Sequence, residues 1–283
     1  MKSLTKNLTK SLTIIGAGKV GRVLGRQFAQ HQVFTLGQVC NRSLLSAQQA
    51  VDFMGAGAAV NDMAQLQPAD ITMLTVPDDQ IQVSCTALLE RGLLLPGSVL
   101  FHCSGAKAST ELAAASVLGV HIASLHPVRS FADPAVLAAN FSGSICSIEG
   151  DAAALVILST ALAAIDAKVV EIQAENKLLY HAGSVFASNY LVTLIETALQ
   201  AYQAAGIPRE TALAMAQPLA TLSLENVFKL GTAAALTGPI ARGDMQTVGL
   251  QQQVVEHWDK AAGDLYQAFL PPTIELAARK KKL

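Results

Sequence analysis

Residues 12–28 read LTIIGAGKVGRVLGRQF: a short apolar run, glycines at 16, 18 and 21 in G-x-G-x-x-G spacing, then an amphipathic stretch. The glycine spacing alone is a weak signal, and its meaning comes from the strand-like run before it and the helix-like pattern after it. In that setting Gly16 permits the tight turn, Gly18 lets the backbone approach a pyrophosphate, and Gly21 lets the helix pack closely. The segment from Ala17 through Lys19 and Val20 then opens a helix whose N–H groups and dipole favour an anion. Lys19 opposes that dipole at a cost of about 0.3–1 kcal/mol, and a bound phosphate reverses the sign. The expected ligand of this loop is a dinucleotide.

The second strand ends in QVCNRS, residues 38–43, with no Asp or Glu between Gln38 and Ser46. A carboxylate at this place accepts hydrogen bonds from the ribose 2′-hydroxyl of NAD, whereas an Arg accommodates a 2′-phosphate. Asn41, Arg42 and Ser43 offer an amide, a guanidinium fork and a hydroxyl, all able to donate to phosphate oxygens. NADP is the expected cofactor.

From Leu12 to about Ile172, the runs LTII, LGQV, ITMLTV, SVLFHC, VHIASL, SICSIE and AKVVEI alternate with Ala-, Leu- and Gln-rich helical patterns. This alternation predicts an α/β domain over residues 1–173, a Rossmann doubly wound, mostly parallel sheet. After Ala174 the β-branched runs stop, and helical periodicity covers 174–205, 209–230 and 244–269, with Gly206, Ile207 and Pro208 as a stop and restart. Residues 174–283 are therefore expected to form an all-α domain. The apolar run from Ala152 to Ile165 is too short to span a bilayer and reads as a buried helix. The opening MKSLTKNLTKSLTIIG runs straight into the glycine loop without a cleavage site, so it reads as strand one, not a signal peptide. The closing ARKKKL reads as a solvated end.

With 51% hydrophobic and 14% charged residues and a formal net charge of -1, the chain lacks a broad basic field for nucleic acid or anionic lipid. The expected ligand is small. Cys40, Cys85, Cys103 and Cys146 show no CxxC spacing, which suits free thiols and a cytoplasmic location.

In a parallel sheet the strand ends Thr75-Val76-Pro77, His102-Cys103-Ser104-Gly105 and His126-Pro127 converge on one edge, where ligands bind. Thr75, Val76 and Pro77 either border the adenosine or form only a turn. Ser104 and His126 are candidates for the nicotinamide or substrate, though a loop histidine satisfied by backbone is an equal reading of His126. Ser104 lacks the G-x-S-x-G elbow of a nucleophile. No metal is expected, because His102, His121 and His126 lack compact spacing with carboxylates. In ENKLLYHAGSVFASNYL, residues 175–191, Lys177, His181, Ser184 and Ser188 fall on one helical face with Asn189 at its border. This stripe is a solvated face, a set of satisfied polar residues, or the catalytic face, with Lys177 as proton donor and His181, Ser104, His126 and Asn189 orienting the substrate. In LTGPIARGDMQTV, residues 236–248, Arg242 and Asp244 either line a site or an interface or have a plain structural role, that of Asp244 being the N-cap of the helix that begins there.

The motifs GAGKVG, TVPDDQI, HCSGA, SLHPVRSFAD, YHAGSVFASN and ALTGPIARGD together resemble bacterial Rossmann-like proteins with a C-terminal helical domain of unknown function, labelled NADP oxidoreductases. Their layout is similar to pyrroline-5-carboxylate reductase, 6-phosphogluconate and β-hydroxyacid dehydrogenases, and deazaflavin-dependent NADP reductases. In the β-hydroxyacid enzymes a helix carries Lys and, four residues on, Asn; Lys177 matches the first, but His181 stands where Asn would be. The resemblance implies a homodimer built through the helical domain. It also implies hydride transfer between NADP(H) and a small carbonyl, imine or hydroxy-acid substrate. The alternatives are a deazaflavin as hydride partner, or a noncatalytic NADP(H)-binding sensor or scaffold.

Overall fold

Ser11–Ile15 forms strand β1, with Leu12, Ile14 and Ile15 sealed from solvent in the computed structural model, which describes residues 9–280. The expectations for residues 1–8 at the start of the chain and for the last residues of ARKKKL, 281–283, fall outside the described residues. The strands that follow are β2 (Thr35–Cys40), β3 (Ala58–Val60), β4 (Ile71–Leu74), β5 (Val99–His102), β6 (His121–Pro127), β7 (Ile145–Gly150) and β8 (Lys168–Glu171). They make one eight-stranded sheet in the order β3-β2-β1-β4-β5-β6-β7-β8. Every neighbouring pair is parallel except β6 and β7, which run antiparallel. The mostly parallel, doubly wound architecture agrees with the alternating pattern in the sequence. Strand β3 was not legible, because Ala58, Ala59 and Val60 are too short and small a run to stand out.

Helices α1 (Lys19–Gln30), α2 (Leu44–Met54), α3 (Ile81–Glu90), α4 (Ala113–Ser116), α5 (Pro134–Ala139) and α6 (Ala152–Ala164) cover the sheet. Side chains alternate across each strand, so the sheet feeds two cores. Leu12, Ile14, Met73, Phe101, Leu125 and Ile148 join α1, α5 and α6 on one face. Ile15, Leu74, Leu100 and Ile122 join α3 and α4 on the other. Helix α6 buries Ala154, Leu158, Ala161 and Leu162 but leaves Val156 exposed, so it is packed on one side and not enclosed as its composition suggested.

Helix α7 (Lys177–Ala187) precedes α8 (Asn189–Ala204), α9 (Arg209–Leu230), α10 (Thr232–Ala235), α11 (Pro239–Arg242), α12 (Met245–Trp258) and α13 (Lys260–Lys280). The region is all helical, with two corrections. The helix expected over 174–205 is broken at Ser188, whose backbone leaves the helical region (φ −126°, ψ −69°). The helix expected over 244–269 is broken at Asp259, which instead caps α13 by accepting the Ala262 N–H at 2.7 Å. Asp244 is the N-cap its position suggested, accepting the Thr247 N–H at 3.1 Å.

The chain divides into two compact units, the first ending at Val185 and the second beginning at Phe186. This is later than the expected boundary at 173/174, because the start of α7 is bound to the sheet through Lys177. Among the described residues one helical run, Ala174–Ala204, meets the length and composition of a bilayer span. It contains the Ser188 break and the sheet-bound Lys177. All four cysteines are free and buried. Burial pushes the Cys146 thiol up to about 12 and raises those of Cys40, Cys85 and Cys103, so all are inert as nucleophiles at neutral pH.

Candidate functional site

The strand order reverses between β1 and β4, the switch point at which open α/β sheets bind ligands. Gly16 N–H donates to the Cys40 carbonyl at 2.8 Å and Thr75 N–H to that of Ile15 at 2.8 Å, which holds the glycine loop against both neighbours. A cavity of about 1040 Å³ opens there, lined among others by Gly16, Ala17, Gly18, Asn41, Arg42, Ser43, Thr75, Val76 and Pro77. Nine of the expected cofactor residues thus share one wall. At Gly16, φ is +80° and a Cβ would sit 2.6 Å from Val76 Cγ1, so no side chain is tolerated. At Gly18 a Cβ would find its nearest neighbour 3.8 Å away, which leaves room for a phosphate to approach. Gly18 gives α1 no side-chain cap, so the first-turn N–H groups are left for an acceptor from outside the helix.

Three expected cofactor residues lie elsewhere. Lys19 Nζ donates to the Ala132 carbonyl at 2.9 Å and does not line the cavity, so its charge is tied to the loop before α5. Val20 and Gly21 lie within α1 behind the wall; Gly21 is there for packing, since a Cβ would fall 2.3 Å from Thr75 Oγ1. Conversely, Arg22 and Arg91 line the cavity and were missed. Arg22 directly follows the last motif glycine, a signal that was available; Arg91 comes from the end of α3, and only the fold brings it near.

A second polar group lies beyond the ends of β5 and β6. His102 is fully buried: its Nε2 faces the Ala108 carbonyl at 3.0 Å and its Nδ1 accepts the Ser104 N–H at 3.2 Å. Both ring nitrogens are used, which makes this histidine structural. Ser104 Oγ accepts the N–H groups of Ala106 and Lys107 at 3.2 and 2.9 Å, shaping the turn while its own proton stays available. His126 Nδ1 lies 2.8 Å from the Tyr180 hydroxyl. Its ring meets those of Tyr180 and His181 edge-on, with centroids 5.8 and 5.7 Å apart. Burial, then His181 and Lys177, depress its pKa to about 4 against the opposing pull of Asp78, so the imidazole is neutral at pH 7.

Lys177 does not occupy the position expected of a proton donor. Its side chain is 1% exposed, and Nζ donates to Ser124 Oγ and pairs with Glu149 Oε1 at 3.0 Å. Glu149 is completed by the Ser109 N–H at 2.8 Å and hydroxyl at 2.6 Å. Burial lowers the Lys177 pKa, with Glu149 opposing. An ammonium sealed from solvent and committed to a carboxylate serves packing. The polar stripe of α7 turns inward at Lys177, with His181 and Ser184 half-buried, while Leu178, Leu179 and Phe186 are exposed. Ser188 and Asn189 are exposed and lie past the end of α7, with Asn189 in the second unit. Ser109, Ser124, Glu149 and Tyr180 were missed; Glu149, a charge inside an otherwise buried strand, was the legible hint. Arg242 sits at the end of α11, exposed and outside both polar groups. Among the described residues, no three His, Cys, Asp or Glu side chains converge as a metal site requires.

Residues 2–127 match the Rossmann-like domain family, and residues 144–270 match a domain of unknown function, DUF2520. The chain is a Rossmann-like domain joined to a DUF2520 domain. Among solved structures, protein TM1727 from Thermotoga maritima is 26% identical, with a TM-score of 0.75, over 95% of this chain and 99% of that one. The candidate NADP oxidoreductase BF3122 from Bacteroides fragilis is 19% identical, with a TM-score of 0.74, over 94% and 98%. An imine reductase from Myxococcus stipitatus in complex with NADP+ is 17% identical, with a TM-score of 0.64, over 91% and 92%. Pyrroline-5-carboxylate reductases also share the fold. No curated protein matches the sequence.

Two outcomes follow from these contacts. Lys177→Met leaves Glu149 charged and buried, and is expected to cost about 3–5 kcal/mol in urea unfolding, most of it recovered by adding Glu149→Leu; equal stability of the single variant and the native chain would contradict a closed ion pair. Because His126 titrates lower in the folded chain than in the unfolded one, the unfolded state binds more protons, and stability falls as pH drops from about 6.5 toward 4. His126→Gln should flatten that acid limb, which chemical unfolding at a series of pH values reads directly.

Proposed function

We propose that this protein is an NADP-dependent oxidoreductase that passes hydride between NADP(H) and a small carbonyl, imine or hydroxy-acid substrate. The observation that carries this reading is the juxtaposition, along one sheet edge, of a dinucleotide-sized cavity with an imidazole that keeps one nitrogen free. The fit rests on the open approach at Gly18, the uncapped N-terminus of α1 and the absence of a carboxylate from 41–43. Gly16 to Gly18 would hold the pyrophosphate, and Arg42, Asn41 and Ser43 the 2′-phosphate. When bound, the dinucleotide supplies or takes the hydride. The chain's own part is to orient the substrate through Ser104 and His126, with His181 beside them, and to hold α7 in place through Lys177. This moves the donor role from Lys177 to the His126 group, and the mechanism calls on no step by Asn189.

The chain also presents what a second copy of itself would cover. Helix α9 runs for 22 residues, yet only Ala212 and Ala216 are buried. Leu213, Leu219, Leu222, Leu224, Phe228 and Leu230 are all exposed, far more apolar surface than a monomer carries in water. A homodimer through the helical unit fits this surface, as does a cytoplasmic location for four unpaired thiols.

Fluorescence titration should show NADPH binding about 10- to 100-fold tighter than NADH, with Arg42→Ala removing the preference and leaving NADH unchanged. Absence of binding by either dinucleotide would end the oxidoreductase reading. Sedimentation should give a dimer, and Phe228→Glu a monomer; a native chain that sediments as a monomer, or partitions with membranes, would refute the assembly.

A further inference from the structure

His102 and His126 lie at the ends of adjacent strands with opposite hydrogen-bond states. Both nitrogens of His102 are engaged, by Ala108 and Ser104. His126 has one engaged nitrogen, Nδ1, and one, Nε2, without a hydrogen-bond partner among the described residues. The partner at Nδ1 is the Tyr180 hydroxyl, a residue that the functional reading so far does not use.

The direction of that bond decides what Nε2 is. The Tyr180 hydroxyl has its hydrogen-bond contact at His126 Nδ1, and the nearby buried Ser147 Oγ completes no hydrogen bond. Burial raises the phenol's pKa, and Ser147 pulls against it. A phenol is a stronger donor than a neutral imidazole N–H, and an imidazole nitrogen is a stronger acceptor than a phenol oxygen, so the bond is stronger with Tyr180 donating. Donation from the phenol leaves Nδ1 as the acceptor and puts the ring proton on Nε2.

The surroundings of Nε2 fit a presented donor. Gly105 is where the ring edges of His126 and His181 close together: a Cβ there would lie 2.8 Å from His126 Nε2 and 2.4 Å from His181 Cδ2. Only glycine leaves that nitrogen unobstructed. Edge-on contacts with Tyr180 and His181 on two sides hold the ring plane. The charged and titratable groups acting on the ring are His181, Lys177 and, with opposite effect, Asp78.

We propose that Tyr180 is a positioning residue that fixes His126 as its neutral, Nε2-protonated tautomer, so that the site takes a ligand offering a hydrogen-bond acceptor, a carbonyl or carboxylate oxygen, and disfavours a protonated imine. The proposal rests on the reading of His126 as a substrate-facing group. A neutral N–H donor has nothing to offer an iminium N–H. Within the substrates consistent with the fold, the side-chain chemistry therefore selects oxygen acceptors.

The test is long-range ¹⁵N–¹H correlation spectroscopy of the full-length, ¹⁵N-labelled chain at pH 7, with His126→Gln and His181→Asn used for assignment. His126 is expected as the neutral Nε2–H tautomer, with Nδ1 showing the shift of an acceptor. Tyr180→Phe, which keeps the ring, should lower the ratio of that tautomer to its Nδ1–H counterpart by about tenfold and raise the titration midpoint of His126. A protonated Nδ1 in the native chain, or a ratio unchanged in Tyr180→Phe, overturns the positioning role. Acetate and methylammonium then probe the ligand class: acetate should perturb the His126 signals and methylammonium should not. Perturbation by methylammonium alone, or by neither, overturns the preference for acceptors. None of these readouts needs turnover, so they stand apart from the dinucleotide titration that tests the oxidoreductase reading.

Discussion

The polar end of the sheet depends on one buried carboxylate. Glu149 sits on β7 directly across from Ser124 on β6, and its two oxygens gather the Ser109 backbone and hydroxyl and the Lys177 ammonium. Taking a carboxylate and an ammonium out of water costs several kcal/mol each, and their attraction offsets this only when the remaining hydrogen-bonding capacity is used. Here it is: both carboxylate oxygens are engaged, and Ser124 takes a second ammonium proton. The arrangement cannot be relaxed by halves, so four segments distant in sequence are held in one geometry.

That requirement explains why the amphipathic pattern of α7 is reversed relative to an ordinary surface helix. Lys177 faces the sheet, Tyr180 and His181 are half-buried, and Leu178, Leu179 and Phe186 face outward. A helix at the water interface would do the opposite. The same reversal runs through α9, whose large apolar residues are mostly outside. Each of the two helices carries an apolar face that its own unit leaves uncovered.

The sheet was legible because its signals are local: runs of β-branched residues, glycine spacing, and the turn residues between them. The wall of the cavity was legible for the same reason, since Gly16 to Gly18, Asn41 to Ser43 and Thr75 to Pro77 each follow a strand end. Lys19 was misread because a loop carbonyl at Ala132, more than a hundred residues away, claims its ammonium. Lys177 was found, but its burial against Glu149 was not legible, because spacing shows which face a residue shares and not whether that face looks inward. Glu149, Ser109 and Tyr180 stayed hidden since each acquires its role only through partners that strand pairing brings close. The breaks at Ser188 and Asp259 were missed because neither carries a Gly or Pro.

The antiparallel turn of β7 and β8 has a geometric result. Although these two strands run against the other six, β8 pairs with the first half of β7, which lies beside Leu125 to Pro127 of β6, so the chain leaves β8 level with the carboxyl ends of the parallel strands and α7 begins there, beside Ser124 and Glu149. The angular phase of α7 is set at its first residue: each step along a helix turns about 100°, and Lys177 is pinned by Glu149. The direction in which Tyr180 and His181 point is thus inherited from an ion pair one turn below them. A single residue inserted between Lys177 and Tyr180 would leave every local contact of the anchor intact and yet swing both rings off the sheet, as a key cut one notch out of register still enters its lock but does not turn it.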